Sequence, residues 1–227
     1  MRPFFNLRGR TNLMKILGFD PSLTNFGWAL LDSDLTGPNQ GYCLETGRFQ
    51  TSSKTLFTDR YVDMRESVQK VIQKYHVSKI GVEYPVFNDI YSEGMYGLFL
   101  YTCEAIRAEK ADVVFFSPGQ IKAHARLFLD RPKGWKMMKP DMVEATKTAE
   151  GIRMNHNEAD AYWVARAAMR FWQLHDGIIQ ESDLTPVEVK QFLEIKQYSR
   201  GRKAGKSELK GILHREDERF FRWSGED

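Results

Sequence analysis

Three acidic residues stand where acids contribute little to folding. Asp20 ends the apolar run Ile16-Leu17-Gly18-Phe19 and opens onto Pro21, Ser22, Thr24, Asn25 and Gly27, small or turn-forming residues that let backbone approach a ligand. Glu83 ends Lys79-Ile80-Gly81-Val82, two residues before Pro85. Asp160 lies in Asn155-His156-Asn157-Glu158-Ala159-Asp160-Ala161. On a helix it shares a face with His156 and Asn157 one turn earlier, and Val164, Ala167 and Ala168 carry that face toward a core, while Glu158 points to solvent. Taken singly, each has an ordinary reading as a turn cap, an edge position or a helix-start acid. Taken together they suit metal-assisted phosphodiester hydrolysis. That chemistry needs a nucleophile made from water and a stabilised leaving oxygen, which two divalent cations about 4 Å apart provide, and several carboxylates offset the cations' charge.

The elements that must position these residues follow from the hydrophobic pattern. Lys15 to Phe19, Trp28 to Leu31 and Tyr42 to Thr51 read as three strands, with a hairpin turn over Asp32 to Gly41. Leu56 to His76 returns apolar residues at helical spacing, Lys79 to Tyr84 is a strand, and Gly94 to Glu109 is a helix. Val113 to Phe116 is a further strand, closed by Ser117-Pro118-Gly119, and Gln120 to Leu129, Asp141 to Glu150 and Asn157 to Leu174 are helices. Asp130 to Pro140 reads as a basic loop. A meander followed by strands alternating with helices predicts an α/β fold with a mixed sheet. Asp20, Glu83 and Asp160 can meet at one edge of such a sheet.

The 227 residues, 42% hydrophobic and 28% charged, suffice for a packed core. A net charge of +3 permits an anionic partner without demanding one. Cys43 and Cys103 are far apart and lack metal or redox spacing, which fits a reducing cytoplasm. No apolar stretch approaches the roughly 20 residues of a membrane helix, and residues 1–14 lack a signal core. Met14 is a candidate start, so residues 1–14 read as an arm and residues 15–175 as the main domain. Residues 176–227 read as a basic, partly helical extension, with an N-cap signal at Thr185-Pro186-Val187-Glu188, a basic Ser199 to Ser207 stretch and a charged helix from Glu208 to Trp223.

The ordered blocks ILGFDPSLTNFGWAL, VEYPVF, SPGQIK and NEADAYWVARAA, covering Lys15 to Phe171, resemble the RuvC family of Holliday-junction resolvases, within the RNase H-like nucleases. The resemblance implies a mixed five-stranded sheet flanked by helices, with a C-terminal helical extension. It implies Mg²⁺, replaceable by Mn²⁺, with two ions per site held by Asp20, Glu83, Asp160 and a fourth position one turn before Asp160. That fourth position is Asn157 here, a departure from the family's usual Asp or occasional His. An amide oxygen can still ligate a hard cation, and His156 is a further candidate. Lys122 of SPGQIK corresponds to a lysine near the scissile phosphate and counts with Asp20, Glu83 and Asp160 as catalytic. Lys122, Lys139, Lys136, Lys133 and Arg131 are expected to bind DNA phosphates, and Phe87 to stack on a base at the junction. Gly94 to Glu109 matches the helix through which the family forms its homodimer. The expected activity is that of a crossover junction endodeoxyribonuclease, making paired symmetric nicks that leave 5′-phosphate and 3′-hydroxyl ends in DNA recombination or repair. The alternatives are a related nuclease for flaps or other branched DNA, a non-catalytic junction-binding protein, and an actin-like ATPase, against which Pro21 and the lack of a second Gly-rich loop both speak.

Overall fold

The computed structural model describes residues 13–34, 41–85, 92–132, 134–193, 196–197, 207–208 and 212–213. Phe87, Lys133, residues 1–12 and most of the expected terminal extension lie outside the described residues.

Strands β1 (Leu13–Asp20), β2 (Asn25–Asp34) and β3 (Gly41–Gln50) form an antiparallel meander. Helix α1 (Phe57–Tyr75) then crosses to β4 (Lys79–Glu83), which pairs parallel with β1. Helix α2 (Ser92–Ala108) leads to β5 (Asp112–Phe116), parallel to β4. The helices α3 (Pro118–Arg126), α4 (Lys139–Glu150), α5 (His156–His175) and α6 (Pro186–Phe192) follow, and β6 (Lys196–Gln197), β7 (Ser207–Glu208) and β8 (Ile212–Leu213) are two-residue strands. The sheet order is β3-β2-β1-β4-β5-β8. The expected five strands are all present, and β8 adds a short antiparallel pairing to β5. The strands at Ser207–Glu208 and Ile212–Leu213 replace the first part of the helix expected from Glu208; its remainder lies outside the described residues.

Side-chain alternation along the strands divides the core in two. Leu17, Phe19, Phe26, Trp28, Leu30, Ile80 and Val82 pack toward α1 and α2. Ile16, Ala29, Leu31, Val114 and Phe116 pack toward α5 and its neighbours. Gly18, Gly27 and Gly81, on three adjacent strands, meet α5 directly. A Cβ on Gly18 would lie 2.3 Å from the Ala165 nitrogen, one on Gly27 2.2 Å from the Asn157 carbonyl oxygen, and one on Gly81 2.6 Å from the Ala168 Cβ. The helix therefore rests on the sheet backbone, and its height above the strand ends is set by contact.

Two helix starts differ from expectation because of their caps. α3 begins at Pro118, where Ser117 and Gln120 form a capping box and Pro occupies the first helical position. The Ser-Pro-Gly stretch is thus a helix start as well as a strand end. α4 begins at Lys139, with the Asp141 carboxylate accepting from the Met138 nitrogen at 2.9 Å. The cap signal at Thr185 does start α6, whose Glu188 pairs with Arg170 of α5 at 2.7 Å, both side chains 3% exposed. Ile179 and Phe192 join the α5 core, so packing continues past His175. No described helix is long and apolar enough to cross a membrane.

Candidate active site

The parallel pairing of β1 with β4 runs from Ile16 opposite Lys79 to Phe19 opposite Val82. The next residues on the two strands are Asp20 and Glu83, so both carboxyl groups stand at neighbouring strand ends. Asp20 pairs across the meander with Gly27, whose missing Cβ leaves room for the Asn157 carbonyl. That contact brings the first turn of α5 over the strand ends, with Asp160 one turn further on. Asn155 caps the helix by accepting from the Asn157 and Glu158 nitrogens, while Glu158 accepts from the Asn155 nitrogen at 3.2 Å. Glu158, expected to face solvent, instead closes this capping box and fixes the helix start.

Electrostatics tie the three carboxyl groups together. Burial and the charges of Glu83 and Asp160 raise Asp20 well above the ordinary carboxylate range, against the opposing pull of Lys139. Burial and Asp160 push Glu83 up to about 7, opposed by Lys122 and Lys139. Burial pushes Asp160 up to about 6, again opposed by Lys139 and Lys122. Carboxyl groups that resist ionisation together lack a counter-charge that two lysines only partly supply. Lys122 acts on two of the acids, and Lys139 on all three. Lys139, expected only as a DNA contact, is thus the cation most widely coupled to the cluster.

The donor set fits a hard divalent cation: carboxyl oxygens in a partly desolvated pocket, whose ionised form a cation would favour. Among the described residues, no three His, Cys, Asp or Glu side chains stand close enough to share one ion. Like charges at adjoining strand ends repel, and a cation would draw them inward. Asn157 is 8% exposed, beside Asp20's partner Gly27, and its side-chain amide makes no hydrogen bond to a described residue. His156, by contrast, is exposed and lines a neighbouring cleft with Lys139, and its charge does not figure among those acting on the acids.

The expected phosphate-binding residues separate into two groups. Lys122 and Lys139 are exposed, and their charges act on the carboxyl cluster. Lys136 is exposed on the preceding loop and is not among the groups acting on the cluster. Arg131 contacts Glu144 at 2.5 Å and Asp141 at 3.4 Å, so its charge is already matched by α4. Asp141 also accepts from the Trp135 indole at 3.3 Å, which makes it the anchor of the whole loop. Arg131 therefore holds the loop in place. Sequence spacing could not reveal this, because Asp141 reads equally well as a helix-start acid.

The strand order, with α5 laid across the sheet, is the fold seen in solved RuvC structures. The Thermus thermophilus RuvC structure is similar over 73% of this chain and 98% of its own, with a TM-score of 0.59 at 17% identity. T. thermophilus RuvC in complex with Holliday junction substrate gives a TM-score of 0.57, and the yeast mitochondrial Holliday junction resolvase Ydc2 gives 0.53 at 13% identity over 70% of this chain and 80% of its own. No family model matches the chain. In sequence, this chain is similar to crossover junction endodeoxyribonuclease RuvC: it is 33% identical over 75 residues to the proteins of Finegoldia magna and Rickettsia typhi. The matched stretch spans 33% of this chain and 44% and 46% of those relatives.

Proposed function

We propose that this chain is a divalent-metal-dependent endonuclease that resolves four-way DNA junctions by paired symmetric nicks. The observation that carries the proposal is the shared field of Asp20, Glu83 and Asp160, faced by Lys122 and Lys139. The ordered RuvC-like blocks and the RuvC-like fold support the choice of substrate.

Asp20, Glu83, Asp160 and Asn157 would hold two Mg²⁺ or Mn²⁺ ions, their oxygens being the donors a hard cation takes. Bound there, the metals supply Lewis-acid stabilisation of the phosphoryl oxygens and lower the pKa of attacking water. The chain's own residues do the rest. Lys122 and Lys139 attract the scissile phosphate to a site whose carboxylates would otherwise repel it. The α5 cap holds Asn157 and Asp160 at fixed height over the strand ends. Product ends would be 5′-phosphate and 3′-hydroxyl.

A four-way junction has near-twofold symmetry, so paired nicks call for two sites related by a dyad. Exposed Tyr96 and Leu100 on α2, with Phe57 and Val62 on α1, support a homodimer through that side of the molecule. The test compares cleavage of four-way, flap and linear DNA of matched sequence with Mg²⁺. Symmetric nicks near the crossover are expected only on the four-way substrate; preferred cutting of flaps would replace junction resolution with flap processing. Binding without cleavage in either Mg²⁺ or Mn²⁺ would make the chain a junction-binding protein.

A further inference from the structure

Beside the carboxylate cluster, between the first turns of α4 and the start of α5, lies an open cleft of about 840 Å³. Lys139 and Lys147 project into it from α4, Arg153 from the connection to α5, and His156 from the first residue of α5. Val143 and Met154 contribute apolar floor, Met154 being 4% exposed. Lys139, Lys147 and Arg153 are all exposed, and none forms an ion pair with a described residue. The one acid in the wall, Glu144, contacts Arg131 at 2.5 Å. The cleft is therefore cationic on balance. Lys139 has the carboxyl cluster as counter-charge, but folding gives no reason to set Lys147 and Arg153 beside it around one concavity, since like charges repel and their hydration favours spreading them.

The cleft also has a direction. Lys139 borders it and at the same time acts on Asp20, Glu83 and Asp160. A DNA strand placed with one phosphate at the carboxyl cluster must lay its neighbouring phosphates on the surface adjoining it, and the cleft adjoins it at Lys139. Its side chains suit a sugar–phosphate backbone: cations for phosphate oxygens, an arginine fork for bidentate contact, and an apolar floor against which a sugar can rest. The connector carrying Arg153 is held at both ends, by Gly151 in the left-handed conformation and by the Asn155 cap.

We propose that this cleft is a backbone-phosphate site for the DNA strand being cut, with Lys147 and Arg153 gripping phosphates beyond the scissile one and Lys139 joining the two sites. The proposal rests on the nuclease reading above and goes beyond it, because neither Lys147 nor Arg153 belongs to the motifs that carry that reading.

The test uses the full chain and the double variant Lys147→Gln/Arg153→Gln. Binding to a four-way junction, a linear duplex and a single strand of matched sequence is titrated in EDTA across a series of salt concentrations. The plot of log K against log salt should lose about 1.8 from its slope on double-helical substrates, at roughly 0.9 per phosphate contact. In Mg²⁺ the variant should raise KM several-fold more than it lowers kcat, and Lys147→Arg/Arg153→Lys should keep the wild-type slope. An unchanged slope overturns the proposal even where four-way junctions are still cut, and so does loss of kcat at constant KM. A reduced slope on a chain that prefers flaps or linear duplex supports the cleft while removing the junction assignment. Failure of the wild type to bind all three DNAs overturns both.

Discussion

The two faces of the sheet meet their helices in different ways. Toward α5, glycine meets alanine and backbone meets backbone, with would-be Cβ contacts at Gly18, Gly27 and Gly81 between 2.2 and 2.6 Å. Toward α1 and α2, rings on the strands themselves form the contact layer: Phe19 lies 5.6 Å from Phe26, Phe99 5.3 Å from Phe115, and Trp28 6.1 Å from Tyr75, between ring centroids, whereas on the other side α5 itself carries Tyr162, Trp163, Phe171 and Trp172. A helix resting on backbone cannot sink or slide without collision, whereas a layer of rings can re-angle. For the proposed nuclease, the face that needs fixed distances is the one with Asp20 beneath and Asp160 above. The opposite face can vary in height, and its outer surface leaves Tyr96 and Leu100 exposed.

The largest expected effect is on activity and belongs to the α5 face. Asp20→Asn keeps the volume and removes the central charge, so Mg²⁺-dependent cleavage should fall by about 10³-fold or more, on the scale of losing a main electrostatic stabiliser of a transition state. Single-turnover cleavage at saturating DNA measures it. Intact cutting by this variant would place the active site elsewhere and remove the functional contrast between the faces.

Next comes the buried pair that ties α6 to α5. Arg170→Met strands the Glu188 carboxylate, which also accepts from the Thr185 nitrogen at 2.8 Å. The expected loss is about 3–5 kcal/mol, read from the urea midpoint and slope. Adding Glu188→Leu should recover most of it, because the loss comes from an uncompensated charge. If the double variant stays as unstable as the single one, packing of the arginine stem matters more than its charge.

A more direct test makes one substitution in each layer, against the sheet under α5 and between α1 and α2. Gly18→Ala drives a methyl into the Ala161 carbonyl and the Ala165 nitrogen, and should cost about 3 kcal/mol, the upper end for overpacking. Gly97→Ala on α2 meets only the outer end of the Tyr61 ring, at 2.8 Å. That ring can tilt, and alanine gains up to about 1 kcal/mol of helix propensity, so the net change should be near zero. Equal losses at the two positions would show that ring packing is as unyielding as backbone contact.

Much of this architecture was legible in the sequence. β1, β4 and α5 are long or strongly patterned, and each ends or begins near an acid that the core does not want. The ordered blocks then supplied the relation between distant segments that no local pattern carries. What escaped were features decided by tertiary contact. Ser117 reads as a strand-ending turn until Gln120 is seen to complete its capping box. Glu158 reads as a solvated helix position until Asn155 receives it. Arg131 and Lys139 look alike within one basic loop, and only the folding of that loop around Asp141 matches the first to acids and aims the second at the site. The role of α5 in setting the height of the site was half visible in Ala159 and Ala161. Its other half lies in three glycines on separate strands, which become neighbours only in the folded sheet.

The smallest expected effect is a pH dependence, and it isolates the carboxylate cluster from the rest of the α5 face. Glu83 has an ordinary value of 4.5 and is pushed up to about 7; Asp160 rises from 3.8 to about 6. Each group binds its proton more tightly in the folded protein than in the unfolded chain, so its contribution to stability is full below the unfolded value and is lost as pH rises through the folded one. Buried His124 works the other way, since its value is lowered from 6.5 to about 4 and its contribution grows over much of the same range. The difference between Glu83→Gln and wild type cancels the histidine. In EDTA the two should be equally stable below about pH 4.5. The variant should then gain steadily to about pH 7 and level off about 1–2 kcal/mol more stable at this partly solvated mouth. Added Mg²⁺ should reverse the order above pH 7, because the ion stabilises only the protein that keeps its full carboxylate set. Thermal or urea unfolding at fixed salt measures both parts. A difference that is constant with pH would mean the three acids do not share a field, and the dense packing of the α5 face would then serve stability alone.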